Sequence, residues 1–229
     1  MDASAKAQAN DRPVPDTTHV EDGRLRSSTW TLLGALLRDP PGDDLLALLV
    51  RVEEEDAAES SELAAAWHAL SAAARMARPA PLDDEFHDLF IGIGRGELVP
   101  YGSWYRTGYL MDRPLVALRR DLALLGLERD PGVREPEDHA AALAETMALL
   151  TDPCEGQDES TQRLFFAEHV DSWMPTLFAD MQAAQSADFY RAVGRVGEAF
   201  MALERAWLHA DDPRQGPVAA PGGPGEEPQ

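Results

Sequence analysis

The chain has 229 residues, of which 44% are hydrophobic, enough to build a globular core. Its 41 acidic and 20 basic residues give a formal net charge of -21, which argues against a nucleic-acid partner because phosphate binding needs clustered Lys and Arg. A single cysteine, Cys154, excludes an internal disulfide and a cysteine-based metal cluster. The sequence shows neither a secretory signal nor an apolar run long enough to cross a membrane, so we expect a cytoplasmic protein.

Large apolar residues are concentrated between positions 24 and 208. The two ends lack apolar runs, and residues 211–229 contain the sequence Gly-Gly-Pro-Gly-Glu-Glu-Pro. Such a composition buries too little apolar surface to offset the entropy of ordering the chain. We therefore predict a disordered tail over 1–23, one folded domain over 24–208 and a second disordered tail over 209–229.

Helical periodicity recurs throughout the predicted domain, and strand alternation occurs nowhere in it. The first helix ends at a Pro-Pro-Gly sequence, since proline cannot continue a helix, and the second runs from about Asp43 to Glu53. A third, Ala-rich helix follows. Pro79 and Pro81 are expected to break the chain, and Asp83 is expected to cap a short fourth helix. The inward positions are Trp30, Leu33 and Leu37, then Leu63, Trp67 and Leu70, then Phe86, Leu89 and Phe90.

The least regular interior stretch, from Gly92 to Ser103, precedes the second half of the domain. A helix is predicted from Asp112 to Gly126, and another opens on Glu135-Pro136-Glu137-Asp138, whose acidic residues suit a helix dipole. Pro175 interrupts the next apolar face, so we expect a kink or two abutting helices. The last helix presents Phe189, Val193, Phe200, Leu203 and Trp207 on one face. About eight helices without strands predict an all-α, single-domain bundle.

Motifs for catalysis and for cofactor binding are missing. The glycines at 92, 94 and 96 lack the preceding strand and the spacing of a dinucleotide loop, and no Walker sequence occurs. The six histidines form neither an H-E-x-x-H motif nor a pair of Glu-x-x-His motifs. No G-x-S-x-G elbow supports a serine hydrolase. The sequence therefore predicts a protein that is not an enzyme and has no metal or cofactor.

Two groups of residues combine aromatic surface with polar tips. The first runs from Glu85 to Phe90 and continues in Pro100–Tyr105, and the second is Glu135–His139. Phe86 and Leu89 are read as core residues. The polar and aromatic side chains of both groups suit a peptide-binding groove. They are Tyr101, Ser103, Tyr105, Asp138 and His139.

In these segments the sequence resembles the TorD/DmsD family of chaperones, and the resemblance spans about residues 25–208. The motifs that carry it occur in order along the chain. They are Glu85-Phe86 with Leu89-Phe90, Gly94, Pro100-Tyr101-x-Ser103-x-Tyr105, Glu135-Pro136-Glu137-Asp138-His139, Phe165-Phe166-x-x-His169 and Trp173-Met174-Pro175. The resemblance implies an all-helical chaperone without enzymatic activity or a cofactor of its own.

The resemblance also implies a partner. It implies binding to the twin-arginine leader of a molybdenum-cofactor oxidoreductase, which delays export until the cofactor is loaded. Leader recognition would involve Asp138 and His139, the adjacent loop residues Tyr101, Ser103 and Tyr105, and Glu85 and Phe90 on the preceding helix. Some relatives form domain-swapped dimers and guanine-nucleotide binding has been proposed for some, so a monomer and a swapped dimer both stay open.

A twin-arginine leader presents two guanidinium groups followed by an apolar stretch. Acidic side chains would pair with the arginines, and an aromatic groove would bury the apolar stretch. Two alternatives remain. The first alternative to a leader-binding chaperone is an assembly factor that binds the folded catalytic subunit without reading its leader, and the second is a helical enzyme that uses His139 or His169. The acidic surface is also typical of salt-adapted proteins.

Overall fold

A computed structural model describes residues 17–55 and 61–210, and these residues form ten α-helices and two π-helical segments. Within these ranges the only β-type pairing is one isolated bridge, so the prediction of an all-α fold is confirmed, with a helix count somewhat above eight. The helices are α1 (Thr17–Arg38), α2 (Asp43–Glu55), α3 (Glu62–Met76), α4 (Pro79–Phe86), α5 (Gly102–Thr107), α6 (Arg113–Leu124), α7 (Ala140–Thr151), α8 (Glu159–Phe165), α9 (Met174–Ala183) and α10 (Phe189–Ala210). The π-helical segments, His87–Ile91 and Phe166–Val170, directly continue α4 and α8.

The core lies where the long helices meet. Helix α1 packs along α7, α10 packs against both α9 and α3, and α2 packs against α3. The fully buried Trp30 of α1 makes edge contacts with Phe200 of α10, at 5.0 Å between ring centroids, and with Phe166, at 6.4 Å. Burial of such large aromatic side chains supplies much of the apolar contribution to stability.

Close packing of α9 against α10 depends on Gly197. A Cβ atom at this position would lie 2.3 Å from the Phe178 ring, which is itself fully buried. Any larger residue would push the two helices apart, so this glycine is required by a close approach and not by backbone conformation.

Two predicted helix starts are wrong. The chain does break between α3 and α4, but Pro79 itself occupies the first turn of α4, where a missing N–H is tolerated. Asp83 therefore lies inside the helix and does not cap it. Residues 135–138 form a turn ahead of α7, and His139 is the N-cap of that helix. The break before Pro175 is as predicted, since α9 begins at Met174 as a separate helix.

The ends of the helical region extend beyond the predicted domain. Helix α1 begins at Thr17, ahead of the expected boundary at 24, and α10 continues to Ala210. The rest of the two predicted tails lies outside the described residues. Leu203 was expected to face inward but is 47% exposed, whereas the adjacent Glu204 is fully buried.

The buried carboxylate of Glu204 forms an ion pair with the buried guanidinium of Arg26. The guanidinium of Arg26 donates from Nε to Oε1 of Glu204 at 2.5 Å and from Nη2 to Oε2 at 2.9 Å. Trp30 Nε1 also donates to Oε2 at 3.1 Å, and Arg26 Nη1 donates to Gln162 at 2.9 Å. The guanidinium stacks on the Trp207 ring at 3.8 Å. This ion pair, with both carboxylate oxygens bonded, ties α1 to α10.

Candidate functional site

The segment before α5 and the turn before α7 meet in a short antiparallel contact. Tyr101 and His139 form the isolated bridge, the Gly102 N–H donates to the Asp138 carbonyl at 2.8 Å, and the Ala140 N–H donates to the Pro100 carbonyl at 2.8 Å. The structure thus brings together two of the segments singled out in the sequence. Backbone hydrogen bonds fix their register, so the side chains around them have defined positions.

Asp138 lies under this contact with only 2% of its surface exposed. Its Oδ2 accepts hydrogen bonds from the Ser103 N–H, at 2.8 Å, and from the Ser103 hydroxyl. The Ser103 Oγ in turn accepts a hydrogen bond from the Met111 N–H at 3.1 Å. A continuous chain of hydrogen bonds therefore joins the turn before α7, the start of α5 and the turn after α5.

The other carboxylate oxygen of Asp138, Oδ1, is buried and has no hydrogen-bond partner among the described residues. It is the one buried side-chain polar atom in those ranges of which this is true. Asp138 borders a small crevice that also involves Gly102, Leu118, His169 and Trp173. An unpaired buried carboxylate oxygen is costly, which marks this position as one where stability has been given up.

His139 stabilises the start of α7. Its Nδ1 accepts a hydrogen bond from the Ala141 N–H at 3.2 Å, and its ring makes an edge contact with the Tyr101 ring at 4.9 Å. Burial is the largest influence on this imidazole and lowers its pKa to about 4, against the opposing effect of Glu135. His139 is therefore neutral near pH 7, and its Nδ1 lone pair remains available to cap the helix.

Tyr101 and Tyr105 lie one helical turn apart, and each donates its hydroxyl hydrogen to an exposed carboxylate. Tyr101 donates to Glu135, and Tyr105 donates to Asp180 on α9 at 2.9 Å. Burial, followed by the hydrogen bond to the carboxylate, raises the pKa of each phenol well above its usual value. Both phenols therefore stay protonated and act as fixed hydrogen-bond donors.

Trp173 packs against α5 at Gly102 and Tyr105. Its ring lies 5.4 Å from the Tyr105 ring, and its Nε1 donates to the His169 carbonyl at 2.8 Å. A Cβ atom at Gly102 would come within 3.1 Å of Trp173 Nε1, which is tighter than most side-chain contacts, so a glycine favours the close approach of α5 to the tryptophan. His169 is also buried, and its Nε2 lies 2.8 Å from Asp121 Oδ2. Sequence spacing gave no indication of these contacts.

Glu85 and Phe90 contact a different part of the molecule. The Glu85 carboxylate accepts hydrogen bonds from the backbone N–H groups of Asp188, Phe189 and Tyr190, at 2.8, 3.2 and 2.8 Å, and so caps α10. The half-buried Phe90 ring packs on Tyr190 at 5.4 Å. Of the seven predicted site residues, five gather around α5, and these two lie at the start of α10.

The family can be assigned from the sequence, because the family model described as nitrate reductase delta subunit matches residues 56–179, more than half of the chain. The chain belongs to this family. Together with the relatives below, the match confirms the resemblance to TorD/DmsD-type chaperones.

Curated relatives of this delta-subunit family protein are named chaperone protein TorD. The protein from Vibrio cholerae is 26% identical over 133 residues, which cover 54% of this chain and 60% of the relative. The chain thus spans less than two thirds of that relative in the alignment. The protein from Aliivibrio fischeri is 25% identical over 210 residues, covering 84% of this chain and 98% of the relative. Because chaperones are not enzymes, the prediction of a non-enzymatic protein is confirmed at the level of the family.

A solved structure shows the same fold. It is a candidate redox enzyme maturation protein from Archaeoglobus fulgidus, with a TM-score of 0.51 and 16% identity, covering 84% of this chain and 98% of that chain. None of the described helices of the present family member is long and apolar enough to cross a membrane.

Proposed function

We propose that this protein is a maturation chaperone for a molybdenum-cofactor oxidoreductase and that it binds the enzyme's twin-arginine leader on the face formed by α5 and the turn before α7. Bound there, the leader would be withheld from export until the cofactor is loaded. The family match and the names of the relatives support the chaperone class. The observation that carries the leader proposal is the pair of exposed carboxylates, Glu135 and Asp180, each fixed by a tyrosine hydroxyl.

These two carboxylates suit guanidinium groups. Each accepts a hydrogen bond from a neutral phenol, so its negative charge is not cancelled by that partner, and each retains acceptor capacity toward solvent. The ion pairs between described residues involve other carboxylates, for example Glu168 with Arg106 and Glu137 with Arg119. A guanidinium bound at either carboxylate would form a charge-assisted hydrogen bond, which is stronger than one between neutral groups.

Buried residues of the site would act indirectly. Ser103 has no exposed surface and Asp138 only 2%, so neither side chain reaches an external peptide in this conformation. We assign to them the positioning of α5 and of its N-cap residue Tyr101, since the half-buried Tyr101 and Tyr105 hold the exposed carboxylates. This assignment replaces a direct ion pair between Asp138 and a leader arginine.

A titration tests the proposal. A synthetic twin-arginine leader and a matched peptide with both arginines replaced by glutamine are added to the protein at low and high salt. We expect the arginine peptide to bind more tightly and to weaken as salt rises, because exposed charges are screened beyond about 8 Å at 0.15 M ionic strength. Glu135→Gln and Asp180→Asn should each weaken binding about fivefold, and Glu155→Gln, an exposed control on another loop, should not.

Equal affinity for the two peptides would contradict leader recognition through arginine. Retention of a leaderless catalytic subunit, together with no binding of the isolated leader, would instead support an assembly factor that recognises the folded enzyme.

A further inference from the structure

The turn between α5 and α6 exposes three consecutive large apolar side chains. Tyr109 is 73% exposed, Leu110 50% and Met111 70%. A single exposed apolar residue is ordinary, but a contiguous run of them, with no charge within the run, is typical of an interaction surface. We call residues 109–111 the apolar turn.

The backbone of the apolar turn is held in an unfavourable conformation. Met111 has a φ of 56° and is the one non-glycine residue with positive φ among those described. A side chain with a Cβ and a long apolar chain rarely occupies this region, and a structure keeps such a residue only where its surroundings enforce it. The enforcing contact is the hydrogen bond from the Met111 N–H to the Ser103 Oγ at 3.1 Å, which connects the turn to Asp138.

The charges next to the apolar turn indicate what covers it. Along α5, Tyr101 and Tyr105 hold the carboxylates of Glu135 and Asp180, and the apolar turn follows at the end of the helix. The nearest α5 cation, Arg106, is paired with Glu168 at 3.0 Å. Arg38 is near enough to Glu135 for an electrostatic attraction, but neither Glu135 nor Asp180 is in an ion pair with a described residue. The face therefore presents two carboxylates outside ion pairs, followed by apolar surface. A complementary peptide has cations followed by an apolar stretch.

We propose that the apolar turn binds the apolar segment that follows the arginine pair of the leader, and that Ser103 and Asp138 hold the turn in the binding conformation. This proposal rests on the proposed function and extends it, because it fixes the direction of the peptide: arginines at the carboxylates and the apolar segment at the turn. The strained Met111 backbone presents the three side chains outward before the peptide arrives, which lowers the entropy lost on binding.

Two peptides and two variants test the proposal. One peptide is the full leader, and the other stops before its apolar segment. The variants are Leu110→Ser and Met111→Gly, and glycine adopts a positive φ without strain, so the second removes the side chain and retains the turn. The control is Leu203→Ser on α10, because Leu203 is 47% exposed and thus matches Leu110. Affinities are measured by calorimetry, and association state by analytical ultracentrifugation.

The expected result is specific to one peptide. Each variant should remain folded and bind the full leader about tenfold more weakly than the wild type, with no change in its affinity for the truncated peptide. The control should bind both peptides with wild-type affinity. Equal losses for both peptides, or no loss for either, would overturn the assignment of the apolar turn. So would a wild-type dimer that the variants dissociate without loss of leader affinity, since a second copy would then cover the turn. If the wild type binds neither peptide, the proposed function itself fails.

Discussion

Two buried carboxylates, Glu204 between α1 and α10 and Asp138 beneath α5, differ in how completely they are paired. Both oxygens of Glu204 accept hydrogen bonds, from Arg26 and from Trp30. Asp138 uses one oxygen for Ser103 and leaves the other without a partner among the described residues. The first arrangement fixes helices relative to each other. The second keeps one polar atom unsatisfied near a surface that carries two exposed carboxylates and the apolar turn. Completeness of pairing thus separates the stabilising region from the candidate binding region.

The largest expected effect is on the fully paired region. Arg26→Ala would leave the buried Glu204 charge uncompensated, and we expect the free energy of unfolding to fall by about 3–5 kcal/mol, as measured by urea titration. The double variant Arg26→Met with Glu204→Leu should recover at least half of that loss, because it removes both charges. A loss below about 1 kcal/mol in the single variant would show that this ion pair does not hold α1 against α10.

A smaller effect is expected at His139 and depends on pH. Burial lowers the pKa of this imidazole from 6.5 to about 4 in the folded protein, so the unfolded chain takes up a proton first as pH falls. The contribution of neutral His139 to the free energy of unfolding is complete above pH 6.5 and is lost progressively as pH falls to about 4. We expect the wild type to lose on the order of 2 kcal/mol over this range relative to His139→Asn, since asparagine caps a helix without titrating. Parallel pH profiles of the two proteins would contradict the assignment.

The smallest expected change in stability concerns Glu85, an intermediate case whose carboxylate is fully used by backbone groups. Glu85→Ala removes three hydrogen bonds to the first turn of α10 and should cost about 1–2 kcal/mol in thermal or urea unfolding. Because this carboxylate is occupied by the helix, leader affinity should stay unchanged. If Glu85→Ala instead lowered the affinity for the leader and left stability unchanged, Glu85 would have the role in leader recognition that the family resemblance implies.

Periodicity predicted the helices because burial of one face in 3.6-residue steps leaves a direct pattern in the sequence. It could not predict Leu203 and Glu204 correctly, since a buried glutamate depends on Arg26, which lies 178 residues away. The predicted start of α4 at Asp83 is too late, because Pro79 already occupies the first turn of that helix. The predicted start of α7 at Glu135 is too early, because His139 caps that helix.

The candidate site was only partly predictable. Family motifs placed Tyr101, Ser103, Asp138 and His139 together, and the backbone contacts around Gly102 show why they meet. Neither the burial of Asp138 nor the strained backbone of Met111 has a sequence signature, because both arise from the way three turns converge. The apolar turn has one visible signal, three adjacent apolar residues between two helices, and this signal was missed.

We infer that Asp138 positions the binding surface and does not itself pair with the leader. The leader affinities of Asp138→Asn and Asp138→Ala test this role most directly. Asparagine keeps an oxygen that accepts from the Ser103 N–H and hydroxyl but carries no charge, whereas alanine removes the acceptor. We predict that Asp138→Asn binds the twin-arginine leader within about twofold of the wild type and that Asp138→Ala binds about tenfold or more weakly, as expected for the loss of a buried hydrogen-bond network. Equal, large losses in both variants would contradict the account and show that the Asp138 charge itself binds the leader.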